Sequence, residues 1–142
     1  MTRPDVEASP NALPDILIRV YLTLATIAFA ALGLKGIIVP GPAVSAVGLH
    51  AEAVTGLNEA RATYGGLHLA FAAVFALGLH RSAVRIPALC LGAVVCGGLA
   101  FGRVVSLFAD GWPNTTMLGW LTLEIAATLI AAWSLRKISR RG

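Results

Sequence analysis

The chain has 142 residues, 57% of them hydrophobic and 13% charged, with a formal net charge of +4 and a mean hydropathy of +0.79. A soluble domain usually carries about a quarter charged residues, so the composition excludes an ordinary water-soluble domain and points to lipid as the solvent. Nucleic acid is excluded as a partner as well: most basic residues sit at the ends of apolar runs, and the aromatic residues are too scattered for a base-stacking surface.

Residues 1–15 are polar and contain three prolines, Pro4, Pro10 and Pro14. They read as a flexible tail without a core of its own. They do not read as a signal peptide, because Asp5, Glu7 and Asp15 dilute the basic residues and the apolar stretch that follows is too long. Four apolar stretches come next, over 16–39, 58–79, 84–108 and 116–135. Each has about 20–25 residues, which at about 1.5 Å per residue is enough to cross a hydrocarbon core of about 30 Å. Strand-period alternation is missing, which argues against a barrel. In lipid the backbone must satisfy its own hydrogen bonds, and that leaves helices. The expected fold is therefore all-α: an integral membrane four-helix bundle over 16–135, with a basic tail at 136–142.

The connections carry further information. The stretch 40–57 is long, weakly apolar and contains His50 and Glu52. A short helix in the membrane interface suits it, although Gly41, Gly48 and Gly56 oppose one. The second connection is very short, so the helices it joins are expected to be antiparallel neighbours. Pro113 before Asn114 and Thr115 marks a turn, with Thr115 as the expected cap of the last helix. Arg3, Arg19, Arg81, Arg85, Arg136, Lys137, Arg140 and Arg141 all fall on one side of a four-span arrangement, whereas 40–57 and 109–115 contain no Lys or Arg. The positive-inside rule then makes both termini cytoplasmic. Small residues recur at four-residue spacing, as Ala62, Gly66 and Ala70 in the second helix and as Gly98 and Gly102 in the third. Both stripes read as packing positions.

Several ionisable residues stand inside or just outside the apolar runs: Lys35, Arg61 and Arg103, and Glu52, Glu59, Asp110 and Glu124. On this topology they all fall in the outer half of the bilayer or at its outer edge. From helix rise, Arg61 lies roughly 5 Å inside the outer end of its helix, Arg103 roughly 7–8 Å, and Glu124 roughly 12 Å, close to the midplane. A charge near the midplane costs about 2.5–3.5 kcal/mol on insertion scales. Glu124 therefore calls for a partner, and Arg103 is the nearest base in depth on a neighbouring helix. Asn58, Arg61, Gly65 and His68 share one helix face, with Tyr64 beside Arg61; Arg103, Ser106 and Asp110 share a second; Trp120, Glu124 and Thr128 share a third. These faces lead to an expected polar cluster of Asn58, Glu59, Arg61, Tyr64, Arg103, Ser106, Asp110 and Glu124. Two readings follow. Either the charges form a closed ion-pair lattice that fixes helix order, or they line a site. No metal or cofactor is expected. His68 has no second histidine at ligand spacing, and Cys90 and Cys96 lie inside one apolar run at a spacing that is no metal motif and read as small packing residues.

The segment Leu57-Asn58-Glu59-Ala60-Arg61-Ala62-Thr63-Tyr64-Gly65-Gly66 resembles the N-E-x-R-x-x-Y-G-G signature of the domain of unknown function 4345 family, small four-helix bacterial membrane proteins. Gly102-Arg103-Val104-Val105-Ser106, the following Asp110-Gly111-Trp112-Pro113, and Leu123-Glu124 continue the resemblance in order and spacing. The resemblance implies four transmembrane helices in a bacterial inner membrane and no particular activity. The family is similar in turn to the broader group of DoxX-like membrane proteins, some of which accompany quinone-linked or thiol redox systems; the cysteines here depart from any CxxC pattern. Three functions are expected to compete. One is an accessory or binding module holding a lipid-like or quinone-like ligand, with Arg61 and Arg103 at its head and Tyr64 and Asn58 as hydrogen-bonding groups. The second is a membrane enzyme using Glu124 or Glu59 as general acid/base. The third is a structural subunit docking on a membrane protein partner.

Overall fold

The computed structural model describes residues 12–140. Among them five helices form and no strand: α1 (Ala12–Ile38), α2 (Pro40–Ser45), α3 (Val54–His80), α4 (Ser82–Ala109) and α5 (Thr115–Ser139). All but α2 are long and apolar enough to cross a membrane.

The helices run past the ends expected from sequence. The expected tail at 1–15 ends early, because α1 begins at Ala12; residues 1–11 lie outside the described residues. Pro14 falls in the first turn, where a missing N–H removes no intrahelical bond, and Asp15 there is favourable to the helix dipole. The second long helix starts at Val54 rather than 58, with Leu57 N donating to the Ala53 carbonyl at 2.9 Å. The expected basic tail is largely helical, since α5 continues to Ser139. Arg136 and Lys137 in its last turn face the negative end of the dipole, which favours continuation. The cap of α5 is Asn114 and not Thr115: its Oδ1 accepts from Met117 N at 3.0 Å. Gly111, at φ 94°, makes the left-handed turn after α4 that a side chain rarely adopts. Between α1 and α3, Pro40 opens the short helix α2, and Pro40 and Val44 bury against the remainder.

Neighbours in sequence are neighbours in space. α1 packs on α3, α3 on α4, and α4 on α5, with α5 returning to touch α1. The core lies towards the end where the chain enters α1. It consists of Ile18, Tyr21 and Leu22 from α1, Phe75 from α3, Ala88 and Leu89 from α4, and Ala131 from α5. Outside this core the helices carry apolar side chains to their surface: Leu24, Ile27, Phe101, Leu123 and Leu129 are each more than 60% exposed.

The closest helix approach is between α1 and α3. A Cβ on Gly36 would collide with the Tyr64 carbonyl group and lie 2.6 Å from Gly65 N, and one on Gly65 would lie 2.7 Å from Ile37 Cδ1. Two glycines back to back allow the crossing. The small-residue stripes expected to pack do not do so among the described residues. Gly98 and Gly102 have nothing within 4 Å of a Cβ, and Ala62, Gly66 and Ala70 are exposed. Gly36 and Gly65 supply the contact instead, because their flanking residues on α1 and α3 leave backbone facing backbone.

Candidate functional site

The polar residues singled out in the sequence fall into two groups. The first sits between α4 and α5. Arg103 Nε donates to both carboxylate oxygens of Glu124, at 2.8 Å to Oε2 and 3.0 Å to Oε1. The Glu124 side chain is 8% exposed and that of Arg103 28%. The short connection aligns the two helices antiparallel, so a residue six before the end of α4 meets one nine after the start of α5 at a similar level. Thr128 Oγ1 donates to the Glu124 backbone carbonyl at 2.8 Å, a bond within α5. Arg103 Nη1 also reaches Met117 Sδ at 3.2 Å. One turn outward, Ser106 Oγ donates to Asp110 Oδ2 at 2.6 Å. That contact is local to α4 and closes its last turn, where Asp110 N also bonds the Ser106 carbonyl at 2.8 Å.

Arg103 and Ser106 line a cleft of about 160 Å³. Leu107, Pro113, Met117, Leu118 and Leu121 supply its apolar walls. Glu124 is not among the lining residues; it stands behind Arg103. A second, almost wholly apolar hollow of about 280 Å³ lies along the same helix pair, one to two turns nearer the core end, between Gly97, Ala100, Phe101, Val104, Ile125, Thr128 and Leu129.

The second group belongs to α3 and faces α1. Across Arg61–Gly66 the helix widens to a π-turn, a device that recurs at functional sites and here accompanies the close crossing of Gly36 and Gly65. Arg61 Nε donates to the Ile37 carbonyl at 3.3 Å, near the end of α1 where carbonyls run out of intrahelical partners. Thr63 Oγ1 donates to Glu59 Oε1 at 2.6 Å. His68 Nδ1 donates to the Thr63 carbonyl at 2.9 Å, and the His68 ring stacks on Tyr64 with centroids 6.0 Å apart. Phe29 completes the row at 5.6 Å from His68. Asn58 is exposed one turn after the start of α3. This π-turn packs on α1, α2 and the adjoining turns of α3.

Arg103, Glu124, Ser106 and Asp110 therefore gather at one place, and Glu59, Arg61 and Tyr64 at another. Among the described residues the one ion pair is Arg103–Glu124. Glu59 and Asp110 are satisfied by hydroxyls and Arg61 by a backbone carbonyl, so the charges do not close into a lattice spanning all the helices. The residue missed from sequence is Met117. A signal for it existed, because Met117, Leu121 and Glu124 recur at i, i+4 and i+7 on one face of α5. Among the described residues no three His, Cys, Asp or Glu side chains come together as metal ligands; Cys90 and Cys96 are free thiols, the first exposed and the second buried.

No curated protein and no solved structure matches this chain. Residues 17–135 match a family described as "Domain of unknown function (DUF4345)", and that match takes in α3 with its π-turn, the Arg103–Glu124 pair and the cleft beside it. Since the match covers most of the chain, the protein belongs to the DUF4345 family.

Proposed function

We propose that this protein is a multi-pass inner-membrane protein of bacteria. Its four long helices span the bilayer, both termini are cytoplasmic, and it works as a binding or accessory module for an amphipathic ligand. Lipid insertion is supported by the exposed apolar side chains on every long helix, a surface that water would not tolerate at this extent. The orientation is supported by the basic residues gathered at the end of the core.

The observation that carries the binding reading is the setting of Arg103. Its Nε is tied to a buried carboxylate while the residue lines an open cleft with Ser106 and Met117. Glu124 positions the guanidinium; Arg103 and Ser106 meet the ligand. A volume of about 160 Å³ suits a small polar head and not a whole ligand, since apolar cavities of about 150 Å³ accept one benzene ring. The tail lies against the apolar hollow farther along the helix pair. A lipid-like or quinone-like molecule has this form. Glu124 as general acid/base is disfavoured, because both its oxygens face Arg103 and it does not line the cleft.

The test is native mass spectrometry of gently extracted protein, followed by lipid extraction. A copurifying amphipathic ligand is expected. Leu118→Trp, which fills the cleft and leaves the ion pair untouched, is expected to abolish its retention. Wild-type protein that carries nothing beyond bulk lipid, or a variant that retains the ligand fully, overturns the reading.

A further inference from the structure

The end of the molecule opposite the cleft has a different electrostatic character. The first turn of α4 and the last turns of α5 lie side by side there, because the two helices pack antiparallel. Arg85 and the preceding cap residue Arg81 come from the one, and Arg136, Lys137 and the cap residue Arg140 from the other; α1 adds Arg19. Among the described residues the acid at this end is Asp15. At the cleft end, by contrast, Lys35, Arg61 and Arg103 are offset by Glu52, Glu59, Asp110 and Glu124.

Arg85 differs from its neighbours. Arg19, Arg81, Arg136, Lys137 and Arg140 are exposed, but Arg85 is half-buried, one turn before the fully buried Ala88 and Leu89. Its Nε is buried and has no hydrogen-bond partner among the described residues. A buried donor on a charged group that lacks an acceptor is more costly than a neutral one. Among the described residues Arg85 Nε meets no acceptor, which leaves it open to one supplied by a bound group.

The depth of the site indicates what that group is. The Lys137 ammonium lies over the Trp133 ring, 5.8 Å from its centroid, and Trp133 is 38% exposed. A Trp with a lysine reaching past it marks the level where apolar span gives way to lipid headgroups. Phosphate is the oxyanion found at that level, and the planar fork of Arg binds it through two parallel hydrogen bonds. The excess of basic residues repels the ammonium of a zwitterionic headgroup and favours a headgroup of net negative charge. We propose that Arg85, with Arg81 and the basic end of α5, binds the phosphate of an anionic phospholipid. This inference rests on insertion of the long helices in a membrane and is independent of the cleft.

The full-length protein in mild detergent is titrated with phosphatidylglycerol and with phosphatidylcholine of matched acyl chains, and bound lipid is counted by native mass spectrometry. Phosphatidylglycerol is expected to bind preferentially. Removing one positive charge near the surface is expected to lower its affinity about five-fold in Arg85→Gln, with phosphatidylcholine unchanged. Arg81→Gln reports on the same site if Arg85→Gln does not fold. Arg85→Gln is expected to keep whatever ligand copurifies in the cleft, from which Arg85 is remote, and this separates failure here from failure of the cleft. Equal binding of the two lipids by the wild type overturns the proposal, as does unchanged phosphatidylglycerol binding in both arginine variants. Complete displacement of the lipid by millimolar inorganic phosphate would show a site for the free anion instead.

Discussion

Glu124 stands in an apolar helix with its side chain 8% exposed, and a single guanidinium makes that placement tolerable. Removing one member of a buried ion pair typically costs about 3–5 kcal/mol, because the other is left without its counter-charge. Arg103 keeps 28% of its side chain exposed, so water or lipid headgroups soften the loss, and about 3 kcal/mol is expected for Arg103→Ala. Glu124→Ala leaves the more exposed partner behind and is expected to cost less. Thermal unfolding in detergent of both single variants and the double variant checks this. The double variant should lose less than the sum of the singles, since it removes both charges together. Strict additivity would mean that the contact contributes nothing.

At the scale of elements, helix contact is governed by where backbone can reach backbone. Gly36 on α1 meets the Tyr64–Gly65 peptide on α3, while Gly98 on α4 meets nothing within 4 Å among the described residues. An alanine at each position therefore has opposite consequences. Gly36→Ala places a methyl group against backbone that cannot turn aside, and overpacking of this kind costs about 1–3 kcal/mol or more. Gly98→Ala adds a methyl in open space and removes a residue with poor helix propensity, which favours the helix by up to about 1 kcal/mol. The melting temperature in detergent should fall for the first and hold or rise for the second. A comparable fall in both would show that α4 uses its Gly98–Gly102 face in a contact outside the single chain. The π-turn belongs to the same element-scale device, because it is the stretch of α3 on which α1 lies.

At the scale of the whole molecule, the two ends differ in charge, and the proposed orientation rests on that difference. The end bearing Arg81, Arg85 and the last turn of α5 is basic, and the end bearing α2 and the turn after α4 has no Lys or Arg in its connections. Single cysteines introduced in a Cys90→Ala background report on this directly. With an impermeant thiol reagent added outside intact cells, Gly48→Cys is expected to label and Ser82→Cys is expected to label only after lysis. The opposite pattern would invert the assignment of sides. The expected labelling pattern would place the cleft, which Pro113 helps to line, in the outer half of the bilayer, and the Arg85 cluster in the inner.

Much of this architecture was legible in the order of residues, and for a physical reason. An apolar run of the length a bilayer requires is a local property of the sequence, so each of the four long helices declares itself without reference to any other part of the chain. The pairing of Arg103 with Glu124 was legible too, because a short connection makes α4 and α5 antiparallel neighbours and helix rise then puts the two residues at one level. Rotation about the helix axes was not legible. A helix that is apolar all round carries no stripe to show which side meets protein and which meets lipid. Arg61 thus turned to the Ile37 carbonyl instead of joining Arg103, and Glu59 took Thr63. The glycines teach the same point. Gly98 and Gly102 have the spacing of a packing motif, and Gly36 and Gly65 are ordinary glycines on separate helices. Only the tertiary structure decides which of them lie where two backbones cross, because that contact depends on crossing angle and helix rotation, which the other chain segments set.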